Sequence, residues 1–354
     1  MIPNHLRIWK CALNLPRESI QSLTEPAHNI SHLDSDHKLR TKMMCPSEIG
    51  NEIIRLMSLD SWNVSQYYAE TSVSNMIFQV SWMSLMWLIC IIRRNGGMVD
   101  FGWPSGFTII AVYVLSTGTG WGPRRAVLCG MYIFAGIRFI FGWIVARNHF
   151  FHEDKRWNQW RERWAQGKGF LGIKSESFNF FIFYQCQAIA NIAFMPVPLI
   201  ISAENGKEQF HILEMLAMGL WVLSFTYENI ADMQLVEFKK KQKKLREECK
   251  KQGKPLPPFG VMQTGLWRYC RHPNYFGEFG IWICYTLYAL PSINSLTSLI
   301  PVLLLPAVAY YFLVHYTGAW MAEQGSLKRR GDHYRRYQES TNMLFPWFPK
   351  THLD

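Results

Sequence analysis

None of the eight cysteines in this 354-residue chain belongs to a C-x-x-C pair. Cys90, Cys129, Cys186 and Cys284 lie within or at the edge of apolar stretches, a pattern that fits neither a thiolate metal site nor a disulfide scaffold. The expectation is free thiols that pack, with no metal and no cysteine nucleophile. The start also lacks a basic n-region followed by an apolar h-region, which excludes a secretory signal peptide. There is no internal repeat, and no low-complexity tract beyond the Lys-rich run from Lys239 to Lys254. The opening MIPNHLRIWKCALNLPR has the basic, partly amphipathic look of a mitochondrial address, but Glu18 and Glu25 follow soon after. Residues 1–72 are mixed in charge and weak in periodic apolar content. They read as a polar N-terminal extension, through which other subunits of a membrane complex could attach.

Charge is scarce in long stretches of the rest. The chain is 49% hydrophobic and 15% aromatic, and its mean hydropathy of -0.05 averages over strongly segregated segments. A membrane-crossing helix needs about 20 mainly apolar residues to cover roughly 30 Å of hydrocarbon. Seven stretches approach this, at about 75–92, 104–121, 126–146, 177–202, 211–232, 274–290 and 297–318. The second is interrupted by Pro104, Gly106, Gly118 and Gly120. The fold expected is all-α and polytopic, with about seven transmembrane helices over 73–350 and a cofactor-binding helical bundle over 203–350.

Net charge is +11, and its placement carries the argument. With seven spans, residues 93–103, 147–176, 233–273 and 319–354 share one face and hold 26 Lys and Arg, against 10 on the other face. The positive-inside rule then puts the basic face, with the C-terminus, in the cytosol or the mitochondrial matrix. The membrane would be that of the endoplasmic reticulum or the inner mitochondrion. Nucleic acid is not an expected partner, because the cations are divided among membrane loops and not gathered in one domain. Trp157, Trp160 and Trp164, spaced three and four apart in HEDKRWNQWRERWAQGKG, predict an amphipathic helix lying on the membrane surface.

Three groups of residues carry chemistry. In QTGLWRYCRHPNYFGEFG, Pro273 suits the first turn of a helix. Arg268, Arg271 and His272 then precede that helix, Asn274 and Tyr275 sit in its first turn, and Glu278 lies one turn on. Free N–H groups, the helix dipole and two arginines suit an anion; a snorkelling Arg pair beside a Trp-Tyr interface belt is the plain alternative. In FTYENIADMQLVEFKKK, Glu228, Asp232, Leu235 and Lys239 share one helical face. Buried carboxylates there would face a cavity or clasp Arg138, the one arginine inside the third span. Beyond the seventh span come Glu323 and the cluster Lys328, Arg329 and Arg330. All three groups fall on the basic face, which suggests one pocket and one anionic ligand.

The run GLWRYCRHPNYFGE, the distal Glu323 and the ending HYRRYQESTNMLFPWFPK resemble the C-terminal domain of the steroid 5α-reductase superfamily, in its broad, mostly uncharacterised branch. ENIADMQLVEFK and the early VDFGWPSGF fit the same likeness, which covers roughly residues 75–350. Sterol reductases and isoprenylcysteine carboxyl methyltransferases, which use S-adenosylmethionine, carry a similar RHPNY run. The resemblance implies NADPH bound by the C-terminal helices. Asn274, Tyr275 and Glu278 would lie near the nicotinamide and ribose, with Tyr275 and Glu278 as the catalytic pair. Arg268, Arg271, His272 and Lys239 would meet phosphates. Glu228, Asp232, Glu323, Arg330 and Tyr337 would complete the cofactor site. The Gln-Glu pair of the steroid branch is missing, so steroid is not the implied substrate.

Three functions follow as expectations. The first is an NADPH-dependent reductase of a C=C bond in a lipid or sterol-like molecule, with Tyr275, or less directly Asp100 or Tyr113, as proton donor. The second is a membrane methyltransferase using S-adenosylmethionine. The third is a non-catalytic subunit that keeps the pocket as a relic.

Overall fold

The computed structural model describes residues 64–146, 150–154, 156–316 and 318–350, all within the unit Glu52–Asp354, and no strand occurs among them. The expected mitochondrial address and most of the polar extension lie outside the described residues. Helix α1, Gln66–Arg93, starts earlier than its apolar run, because Ser65 Oγ accepts from the Tyr68 N–H and caps it. α2 is Val99–Thr117, with Pro104 near its start. α3 is Gly122–Phe141 and continues as a wider π turn to Ala146. α4 is Arg156–Ala165, α5 is Glu176–Ala193 and α6 is Val197–Ser202.

The C-terminal half is built on α7, Ile212–Lys251, a single 40-residue helix. Its Lys-rich end is the expected extension beyond the fifth apolar run, and it stops just before Gly253, whose φ of 65° suits glycine. α8 is Pro273–Ala289, opening on the proline as predicted. α9 is Leu296–Tyr311, followed by a second π turn to Tyr316. α10, Ala319–Arg330, and α11, Asp332–Ser340, are the last helices among the described residues.

Among the described residues, five helical stretches are long and apolar enough to cross a membrane: Gln66–Arg93, Gly96–Thr117, Gly122–Ile144, Glu176–Ser202 and Leu296–Arg330. The chain therefore reads as an integral membrane protein. The other two expected spans, α7 and α8, are helical but are not among these five, and α8 is only 17 residues long.

The charges in the apolar part of α7 turn inward. Glu214 is fully buried against Arg124 of α3, and Glu228 and Asp232 both pair with Arg138 of α3. Arg124 and Glu214 are 90 residues apart in sequence, and so are Arg138 and Glu228. The equal offset at two levels means that α3 and α7 run parallel. The outward face of α7 is apolar, with Ile212, Met215, Leu216, Leu220, Val222, Leu223, Ile230 and Met233 all exposed.

α8 backs both helices. Tyr285 stacks on Tyr132 with centroids 3.8 Å apart, and Tyr288 donates to the Arg124 carbonyl at 2.9 Å. Against α7 the approach is closer still. A Cβ on Gly277 would come within 2.7 Å of the Glu228 Cβ and 2.9 Å of its backbone, so only glycine fits there.

The surface-helix expectation for α4 is corrected. Trp157, Trp160 and Trp164 do share a face, but that face is turned into the protein. Trp157 and Trp164 are buried, and they pack on Phe180 and Phe183 of α5. Tryptophans at helical spacing bury more apolar area against α5 than a headgroup layer would offer.

Candidate functional site

The parallel helices, α8 and the C-terminal helices enclose a cavity of about 1350 Å3. One face of α7 runs down its wall: Glu228, Asp232, Leu235 and Lys239 all line it, as their spacing predicts, and Lys243 extends the row. At 1.5 Å per residue this row is about 22 Å long. Its outer end is cationic, where Lys239, Lys240 and Lys243 stand with Arg329 and Arg330 of α10. Its inner end is aromatic, with Trp103 of α2, Phe139 of α3 and Trp282 of α8.

Between the two ends lie the polar groups. Arg138 reaches across from α3. It donates to Glu228, to Asp232 Oδ2 at 2.7 Å and to Asn229 Oδ1 at 2.8 Å. The other oxygen of Asp232 accepts from Asn274 Nδ2 at 3.1 Å, which ties the start of α8 to α7. Asn274 Oδ1 is buried and accepts no hydrogen bond from the described residues. The polar clasp and the cavity wall, alternatives from sequence, are thus the same residues.

A second network sits behind the wall. Arg271 makes four hydrogen bonds: two to Glu323, at 2.7 and 3.3 Å, and one each to the carbonyls of Gln338 and Thr341. His272 Nε2 is 3.0 Å from Glu323 Oε1, and Gln338 donates to Glu323 Oε2 at 2.6 Å. Burial of His272 is the main reason its imidazole titrates below the ordinary 6.5, and the Arg271 charge acts in the same direction. The ring of Tyr275 stacks on His272 at 5.3 Å. The backbone N–H groups of Arg271 and His272 donate to the carbonyls of Asn342 and Met343, so the C-terminal segment is laid across the entrance to α8.

Of the residues singled out from sequence, Glu228, Asp232, Lys239, Arg271, His272, Asn274, Tyr275, Glu278, Arg330 and Tyr337 all line this one cavity. Arg268 is exposed away from its wall, and Glu323 is buried behind Arg271 and His272. The hydroxyl of Tyr337 donates to the Trp267 carbonyl, and Arg330 Nε donates to the Gly260 carbonyl at 2.7 Å. Tyr113 lies outside the cavity and is exposed, whereas Asp100 lines it. The partner of Asp100 was not legible: Arg156, 56 residues on, ion-pairs with it and interacts electrostatically with Tyr275. Gln187 and Trp282 also line the cavity. Neither stands in a motif, and each becomes a wall residue only through the packing of α5 and α8.

The profile of the DUF1295 family, described as a protein of unknown function, matches residues 86–341. The chain belongs to the DUF1295 family. That match takes in all the residues of the cavity wall named above. A curated relative of this DUF1295 chain is an uncharacterized protein of Schizosaccharomyces pombe, 22% identical over 323 residues, covering 85% of this chain and 88% of the relative. No solved structure matches.

Proposed function

We propose that this DUF1295 protein is a membrane-embedded, NADPH-dependent reductase of a C=C bond in a lipid or sterol-like substrate. The observation that carries the proposal is one cavity with two opposite ends: a cationic mouth of three lysines and two arginines, and an aromatic interior. The likeness of RHPNYFGE to the steroid 5α-reductase superfamily points the same way. Pockets for single ligands are typically about 300–1000 Å3, so 1350 Å3 suits a dinucleotide and a second molecule together.

The residues present fit NADPH. Lys239, Lys240 and Arg330 would receive its phosphates, and the unpaired buried Asn274 Oδ1 would accept an amide N–H from the nicotinamide end. NADPH supplies a hydride when bound; the chain supplies position and a proton. Asp232 and Arg138 fix the rotamer of Asn274. Tyr275 faces the cavity from the first turn of α8 as the proton donor. Arg156 interacts electrostatically with Tyr275 and is itself held by Asp100. Glu278, one turn above Asn274, completes the polar floor under the aromatic end.

The same reading takes α7 and α8 as spans, which makes seven. Three observations favour this: the apolar outer face of α7, its inward and paired charges, and its parallel run with α3, which is itself long and apolar enough to cross.

The test is direct. NADPH should raise the thermal midpoint of the detergent-solubilised protein by mass action. Lys239→Ala and Arg330→Ala should each weaken NADPH more than NADH, by about tenfold, since a charge-assisted contact to a 2′-phosphate contributes roughly 1.5–3 kcal/mol. No shift at millimolar NADPH, with a shift by S-adenosylmethionine, would hand the site to the methyltransferase reading; no shift by either would leave the non-catalytic one.

A further inference from the structure

Away from the cationic mouth, part of the cavity wall is made of apolar side chains that are also exposed on the outside of the protein. The seam between the parallel helices α3 and α7 is closed at two levels. Arg124 and Glu214 close it at one end, and Arg138 with Glu228 and Asp232 closes it farther along. Between these levels α8 fills the back of the seam with Tyr285 and Tyr288. One turn beyond Arg138 the fill stops. There Phe141 and Gly142 of α3 face Ile230 and Met233 of α7, and all four line the cavity. Phe141 and Met233 are 62% and 71% exposed, so they border the cavity and the protein exterior at once. The seam is held by side chains and not by close backbone packing, so its rim is free to yield. Met233 adds an unbranched, adaptable side chain to it.

We infer that this gap is the lateral doorway for the substrate, and that the substrate is a single- or multi-chain lipid whose tail stays in the bilayer while its reacting end passes Arg138 into the cavity. The inference rests on the proposed seven-span reading, in which α3 and α7 are both membrane helices. A water-soluble substrate would have to enter past Lys239, Lys240, Lys243, Arg329 and Arg330, the same mouth that suits the cofactor phosphates. The rim of the Phe141–Met233 gap is apolar at Phe141, Ile230 and Met233, with the Glu237–Lys241 ion pair one turn farther along α7, and inside it come Arg138, Asn229 and Asp232. An apolar rim outside a polar clasp selects an amphipathic molecule: chain outside, oxygen-bearing end inside.

The experiment uses full-length protein in phosphatidylcholine nanodiscs containing a long-chain aliphatic alcohol with a diazirine beside its hydroxyl. After irradiation, peptide mass spectrometry should find adducts at the rim, on Phe141 or Met233, and inside, on Glu278 or Trp282. Leu223, on the outer face of α7, reports the bilayer background. Replacing Phe141→Trp and Met233→Trp together should abolish the inner adducts while labelling at Leu223 stays unchanged. Inner adducts that survive the double replacement, or adducts at Leu223 with none inside, would overturn the doorway. The NADPH thermal shift, measured on the same samples, reports the cofactor site separately, so loss of one reading is distinguishable from loss of the other.

Discussion

At the scale of single residues, Arg138 is the side chain on which most of the cavity wall depends. It meets both Glu228 and Asp232, and Asp232 in turn holds Asn274. Arg138→Met leaves two carboxylates facing each other in a largely desolvated place and should destabilise the protein by about 3 kcal/mol. Adding Glu228→Gln and Asp232→Asn should recover most of that, because the two carboxylates that Arg138 pairs with are then neutral. Thermal midpoints of the single and triple variants decide it; equal losses would mean that Arg138 acts by packing alone. His272 carries a pH signature. Burial holds its pKa below 6.5, so below that value the unfolded chain binds a proton that the native state resists, and stability must fall as the pH falls. Between pH 7.5 and 5.5 the wild-type midpoint should drop, and His272→Gln should flatten the slope. Parallel slopes would remove His272 from the account.

At the scale of elements, the close crossing of α7 and α8 sets where the polar groups meet. Gly277→Ala drives a methyl group into the backbone at Glu228 and should cost about 1–3 kcal/mol, displacing Asn274 from Asp232 and weakening NADPH at the same time. A midpoint and a cofactor shift both equal to wild type would show that α7 can retreat without consequence. Much of this was legible in the sequence. Pro273 marked the start of α8, the face of Glu228, Asp232 and Lys239 marked the cavity wall, and the Lys-rich run marked the extension of α7. What the sequence hid were choices between partners. The spacing of Trp157, Trp160 and Trp164 specifies a face but not whether lipid headgroups or α5 will cover it. Arg271 looks like an anion ligand until Glu323, 52 residues away, is seen to hold it.

At the scale of the whole molecule, the parallel run of α3 and α7 is what the proposed seven-span topology requires, since its third and fifth spans would cross in the same direction. In a chain stripped of its own cysteines, a single cysteine at Lys250 and another at Glu204 should be labelled by an impermeant reagent from opposite sides of sealed vesicles. Labelling from one side would reduce the number of crossings and remove α7 from the membrane. Composition supports five long apolar helices among the described residues, and averaging over α7 hides that Glu214, Glu228 and Asp232, in its apolar part, all turn toward α3. Side-chain direction is a property of the packed structure and is lost in the average.

The two equal offsets of 90 residues also carry a consequence for how the protein is made. Arg124 and Arg138 leave the ribosome well before the carboxylates they will meet. At roughly 5–20 residues per second, each arginine waits about 5–18 s for its counter-ion. During that interval α3 is a nascent segment with a cation at its start and another near its end, and a translocating channel or a chaperone has to hold it. Both debts are settled by the arrival of one helix, α7, which delivers Glu214, Glu228 and Asp232 in a single pass. A ribosome stalled before α7 should therefore leave α3 extractable from the membrane by alkali, and one stalled after it should not.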